Sequence, residues 1–234
     1  MRVLVACETS GRVRRAFDAL GHDVWSCDLL PAVDRSNRHI VCDVRSILDD
    51  GWDLLAVMHP PCTRLCNSGV RWLSGPPTKL STEHYTTDEI AAYAAMSVDE
   101  RIAFMWQKLD EGAALFSDCW NAPIERVAVE DPVMHRHAKE RIRGYQPPAQ
   151  TVQPWWFGDP AFKATSFYLR GLPPLVATKR LVPPRAGTDE HKSWSKVHRA
   201  SPGPDRWKIR SETFPGIAAA MAAQWGGYAL EMAA

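Results

Sequence analysis

The chain has 234 residues, 45% hydrophobic and 24% charged, which suits a globular protein with one sizeable α/β core and a small appendage. No run approaches 18 uninterrupted apolar residues, so no transmembrane helix is expected, and the apolar part of MRVLVACETSGR is too short for a signal peptide; a cytoplasmic location is the default. Net charge is only +1, so bulk charge announces no nucleic-acid partner, and the six cysteines lack the second pair or close histidine pair of a zinc site, so no metal is expected.

RVLVAC (2–7) reads as a short buried strand. After ETSG, Val13, Phe17 and Leu20 lie on one face of a helix over 12–21, with Ser10 as its N-cap and Gly21 as its stop. HDVWSCD (22–28) and HIVCDV (39–44) read as two further strands, ending in the acids Asp28 and Asp43. Cys7, Cys27 and Cys42 sit at the ends of apolar runs, where a small reduced thiol packs well. WDLLAVM (52–58) is a fourth strand, and it exits through His59-Pro60-Pro61-Cys62. Two prolines cannot continue a sheet ladder, and they fix two φ angles, so the exit is stiff and aims the thiol.

Residues 68–97, rich in Ser, Thr, Gly and Pro, read as a long loop with a short helix near DEIAAYAAM. Ser97 and Glu100 form a capping box for a helix to Trp120, whose stripe is Ile102, Met105, Trp106, Leu109, Ala113 and Phe116. RVAVED (126–131) is a fifth strand, ending in Glu130-Asp131-Pro132, and MHRHAKERI a short helix. A Gly158-Asp159-Pro160 turn precedes a sixth strand in FKATSFYLRGL, and an Ala-rich helix runs from about Gly216 to Trp225. The region 173–205 is Pro-rich. Residues 175–212 hold nine basic and four acidic residues, with Trp194, His198 and Trp207 interleaved. Such a segment suits either a phosphate backbone or a solvated surface.

Strands alternate with helices, and acids sit at the carboxyl ends of strands. An open, mostly parallel, Rossmann-like α/β sheet with helices on both faces follows, with ligands beyond those ends. Asp28 is placed to take ribose hydroxyls, while the absence of G-x-G-x-x-G points away from a dinucleotide; an acid that merely ends a strand remains the bland alternative. Cys62 reads as a nucleophile, a metal ligand or a packed thiol. If the fourth and fifth strands are neighbours, Cys62 and Glu130 face one cleft. A thiolate and a hydrogen-bonding carboxyl there suit addition to an electron-poor heterocycle.

The order of these motifs resembles the cytosine-5 DNA methyltransferases, a family with the class I S-adenosyl-L-methionine (AdoMet)-dependent fold. Pro60-Pro61-Cys62 resembles their hallmark Pro-Pro-Cys, and VLVACETSGRVRRAFDALGHDVWSCDL their first cofactor block. Glu130 in VAVEDP resembles the Glu that contacts cytosine N3, FGDPAFKATSFYL the block with spaced arginines, and Gln224-Trp225-Gly226 the Gln-x-Gly that closes over the cofactor. More particularly, the chain resembles small methyltransferase-like proteins encoded by bacteriophages. It departs from the family in its first turn, Cys7-Glu8-Thr9-Ser10-Gly11, which lacks a Gly-rich run. Asp131-Pro132 replaces Asn-Val, Lys163 and Thr165 stand at the usual arginines, and Gly227 replaces Asn.

The resemblance implies an AdoMet-binding catalytic core over 1–169, a short basic DNA-contacting segment over 170–212 in place of a large recognition domain, and a C-terminal helix over 213–234 that returns to the core. It implies methyl transfer to C5 of a cytosine flipped out of double-stranded DNA. Cys62 and Glu130 would be catalytic. Cys7, Glu8, Ser10, Gly11, Asp28, Asp43, Pro60 and Gln224 would hold AdoMet. Lys163, Thr165, Lys192, Lys196 and Arg199 would contact DNA. The setting would be the cytoplasm of a phage-infected bacterium, with no membrane and no obligatory protein partner. The alternatives are the same chemistry on a free pyrimidine nucleotide or with an AdoMet-like donor, and an inactive DNA-binding protein of the same fold. An amino-methyltransferase fits less well, because His59 and Cys62 do not match its motif.

Overall fold

A computed structural model describes residues 1–82, 85–197, 199, 201 and 210–231. His198, Arg206, Trp207 and Lys208, counted above with the basic segment, lie outside the described residues. Seven strands form one sheet: β1 (Arg2–Ala6), β2 (Asp23–Asp28), β3 (His39–Val41), β4 (Leu54–Val57), β5 (Arg126–Glu130), β6 (Gln150–Val152) and β7 (Thr165–Arg170). Their order is β3-β2-β1-β4-β5-β7-β6. Only β7 runs against the others, pairing antiparallel with both β5 and β6. β1 and β4 are buried along nearly their whole length because both sheet faces are covered, which is why they read as continuous Val/Leu runs without alternation.

Helix α1 (Arg12–Asp18) and helix α6 (Pro215–Glu231) cover one face. Val13, Phe17, Ile217, Met221 and Trp225 pack there on Val3, Val5, Leu54 and Ala56. Helix α3 (Val98–Trp120) and helix α4 (Arg136–Arg141) cover the other, with Met105, Leu109, Phe116 and Ala138 on Leu4, Leu55, Val127 and Val129. The Ser97/Glu100 capping box starts α3 as expected. Asp159 accepts a 2.8 Å hydrogen bond from the Gly216 N–H and so caps the first turn of α6.

Several expectations need correction. The loop expected over 68–97 also holds a 3-10 turn, Val70–Leu73, while the short helix expected near DEIAAYAAM is present as α2 (Thr87–Ala95), with its own capping box, Thr86 and Glu89. Strand β6 has three residues and no pattern of its own; it exists as the partner of β7. Ser10 is not the N-cap of α1: Gly11 holds that position at φ 67°, and although the Ser10 hydroxyl accepts the Arg12 N–H at 3.2 Å, the next two amides donate to Glu8. Trp194, one of the aromatics interleaved in the basic segment, is a packing residue. It ends helix α5 (Asp189–Trp194), is buried, and lies 5.4 Å from the ring of Phe162. Lys179 and Leu181 donate backbone hydrogen bonds to Trp156 and Trp155, so this part of the basic segment lies back along 154–157.

Candidate functional site

Where the chain leaves β1, Cys7 adopts φ 54°, a left-handed conformation that few non-glycine residues take. The kink turns Glu8 inward, and the Glu8 carboxyl accepts from Val13 N–H at 2.9 Å, Arg14 N–H at 3.5 Å and the Ser10 hydroxyl at 2.9 Å. The Glu8 carboxylate thus takes, at the first amides of α1, the place that a bound phosphate takes at other helix N-termini. Gly11 suits this position because its φ of 67° is one that L side chains rarely adopt; a Cβ there would also press on the ends of the Arg14, Asp34 and Arg15 side chains.

The strand order reverses between β1 and β4, and a crevice of about 710 Å³ opens beyond their carboxyl ends. Cys7, Asp28, Asp43 and His59 line it from the sheet side, and Lys108, Glu111 and Leu115 from α3. Gly112 of α3 approaches the Pro61 carbonyl, where a Cβ would stand at 3.3 Å. Asp28 uses one carboxyl oxygen to accept the Leu30 N–H at 3.0 Å, and burial pushes its carboxyl above the usual range. Asp43 faces the same crevice but is held by Arg45, whose guanidinium lowers its pKa. A second cavity of about 90 Å³ shares Cys7, Asp28 and His59 and is closed by Ser211 and Glu212.

Strands β4 and β5 pair with Val57 opposite Val129, so the segments after them leave the sheet side by side. The Cys62 carbonyl accepts the N–H groups of Leu65 and Cys66 at 2.9 and 3.0 Å, and starts a tight turn directly after the prolines. Gly69 closes the loop so tightly that a Cβ would lie 2.0 Å from the Thr63 carbonyl oxygen. The Cys62 thiol is half-buried. Burial and then the Asp131 and Glu130 carboxyls push its pKa up, so the free protein holds a thiol and not a thiolate.

Glu130 is buried at the end of β5, and its Oε2 lies 3.5 Å from Nδ1 of His59. The other ring nitrogen of His59, Nε2, lies 3.3 Å from the Thr213 hydroxyl. Asp131 is fully buried, and neither carboxyl oxygen has a hydrogen-bond partner among the described residues. Burial, then Glu130 and Cys66, raise its pKa far above the usual carboxylate range, so Asp131 is held neutral.

The structure therefore brings Cys7, Asp28 and Asp43 together on the larger cavity, with Ser10 on the smaller one. Cys62 and Glu130 lie behind its wall, where Pro61, Thr63 and His59 form the surface. Other expected residues are placed differently. Glu8 and Gly11 build the first turn without lining either cavity, and Pro60 is buried beneath Pro61. Gln224 is spent on the backbone N–H and carbonyl of Val176 and reaches neither cavity. Lys163 donates to the Glu212 carbonyl at 3.5 Å, and buried Thr165 donates to the Lys163 carbonyl. Lys192 and Arg199 are exposed, Lys192 paired with Asp189, while Lys196 borders a separate cavity beside Asp159 and Trp194.

Sequence reasoning missed His59, Thr213, Lys108 and Glu111. His59 was within reach, being the first residue of the Pro-Pro-Cys exit; Thr213 is 154 residues away and carries no signal. Among the described residues no cluster of His, Cys, Asp or Glu could hold a metal ion, and no helix is long and apolar enough to cross a membrane. In comparisons with known proteins, no family model and no curated protein matches the chain.

Proposed function

We propose that the chain is an AdoMet-dependent methyltransferase that acts on C5 of cytosine in DNA through a covalent bond between Cys62 Sγ and C6 of the base. One observation carries the reading. A rigidly exited cysteine and a buried glutamate leave adjacent strands beside a nucleoside-sized crevice that has an acid on its floor. The sheet, with β7 alone reversed, is compatible with the class I methyltransferase fold.

The crevice volume falls within the range of cofactor sites. Asp28 has a carboxyl oxygen not used by Leu30, which suits ribose hydroxyls, while Leu29 and Leu115 offer apolar surface to a purine. Bound there, AdoMet would supply an electrophilic methyl group. The prolines hold Cys62 still, so that little order is lost when a base arrives. In its protonated form Glu130 would donate to N3 of the ring as negative charge develops there during addition of the sulfur to C6. Burial, and then the Asp131 and Glu130 carboxyls, keep the resting group a thiol.

The basic segment is short and partly folded back on the core, which favours phosphate contacts and short sequence recognition over a broad duplex interface. The test is incubation with labelled AdoMet and unmodified DNA, followed by digestion to nucleosides and identification of the modified base by mass, with dCMP in parallel. 5-Methyldeoxycytidine from DNA supports the reading. Label in dCMP alone moves the substrate to the free nucleotide, and no label in either sinks the enzyme assignment.

A further inference from the structure

We propose that His59 is the positioning residue that holds Glu130 and restores its proton during the reaction. The inference rests on the function proposed above. His59 lies two residues past the end of β4 and Glu130 ends β5, and the pairing of these strands brings the two together. Among the described residues, the one ion-pair contact of Glu130 is with His59, at 3.5 Å. That separation is long for proton transfer, but such contacts commonly tighten when substrate binds.

The ring is gripped from both ends. Thr213 stands 3.3 Å from Nε2 and is itself buried. Its carbonyl accepts from Arg12 at 3.3 Å, while Arg12 also pairs with Glu212 at 2.7 Å. Residues 211–213 thus form a strap from the first turn across the strand ends, and the strap fixes the plane of the imidazole.

Glu130 can donate to N3 only while it carries a proton. When the Oε2–H bond breaks and the N3–H bond forms, the carboxylate is left buried next to Asp131, which costs energy unless the charge is met. An imidazolium at His59 meets it: the Nδ1 proton moves to Oε2, and a neutral imidazole remains. The reverse transfers accompany release of the base. The other titratable groups around the ring are Asp28 and Cys7 across the two cavities, Glu212 on the strap and Arg64 beyond Cys62.

Two measurements test this. In protein labelled with 15N-histidine, the His59 Nδ1–H resonance is identified by its loss in His59→Gln, and it should disappear in Glu130→Ala. In the methylation assay, His59→Gln should lower kcat by about a hundred-fold, the low end for general acid–base groups, with KM for DNA unchanged. The fall in wild-type kcat at alkaline pH should be missing from that variant. A Nδ1–H signal indifferent to Glu130→Ala, or a His59→Gln enzyme with wild-type kcat and alkaline limb, would overturn the assignment. If wild-type protein methylates no cytosine yet the signal still depends on Glu130, the pair stands and the proposed function falls.

Discussion

The imidazole Nε2 of His135 lies 2.7 Å from the backbone carbonyl of Arg64, two residues past Cys62. His135 also donates its own N–H to the Leu65 carbonyl at 3.0 Å, and its Nδ1 accepts the Ala138 N–H at 3.3 Å. The segment after β5 therefore clamps the segment after β4, and one neutral tautomer satisfies both contacts.

Acid should release that clamp. Burial lowers the His135 pKa, so the folded chain resists a proton that the unfolded chain takes up below about 6.5. Stability from His135 is present above that pH and is lost as pH falls below it. His135→Gln should be less stable than wild type at pH 8, and the gap should narrow by pH 5. Thermal denaturation at the two values measures this; a gap that widens in acid would contradict the tautomer described.

Cys62→Ser should abolish methyl transfer while leaving the fold intact, because a hydroxyl without an adjacent base is a far weaker nucleophile. DNA containing 5-fluorocytosine should trap wild-type protein covalently, since fluorine cannot leave as a proton does. Cys66 sits in the same turn, its sulfur 2.9 Å from the Ser68 hydroxyl, and Cys66→Ser should still trap. Loss of trapping in Cys66→Ser alone would move the nucleophile by four residues.

Asp28→Ala should weaken AdoMet binding by about ten- to a hundred-fold, as expected from hydrogen bonds to a charged group worth roughly 1.5–3 kcal/mol. Calorimetry reads the dissociation constant directly. An unchanged value would remove Asp28 from the cofactor site.

Asp131 carries a cost that depends on pH. Its pKa is raised in the fold, so the unfolded chain releases the proton first as pH climbs above about 4. Wild type should lose stability with rising pH from there, by up to about 1.4 kcal/mol per pH unit until the folded group ionises. Asp131→Asn should flatten that part of the curve. Urea denaturation from pH 4 to 8 compares the two slopes, and parallel curves would show that Asp131 is not held neutral.

Much of the sheet was readable because β1, β2, β4 and β5 are apolar and mostly buried on both faces, so propensity and burial agree. β6 was not, because three residues, Gln150–Val152, become a strand only by pairing with β7. Helix α2 was legible in DEIAAYAAM even within Ser-, Thr- and Pro-rich surroundings, and its Thr86/Glu89 box fixes where it starts. The cap of α1 misled because its acceptor, Glu8, comes from two residues before Ser10. Spacing placed Asp28 on the crevice, yet it could not show that Gln224 would be held by Val176 or that Thr213 would reach His59. Such contacts are set by how distant segments dock.

The inward turn of Glu8 has a consequence for ligand choice. Its carboxyl occupies the amide end of α1, where an incoming phosphate would otherwise find donors, and it adds an acidic group at that spot. A ligand bearing a pyrophosphate therefore meets the Glu8 carboxylate where other helix ends would offer it Val13 and Arg14 amides, while a ligand without phosphates loses nothing by that arrangement. The first turn of this chain thus closes its own helix end to anions.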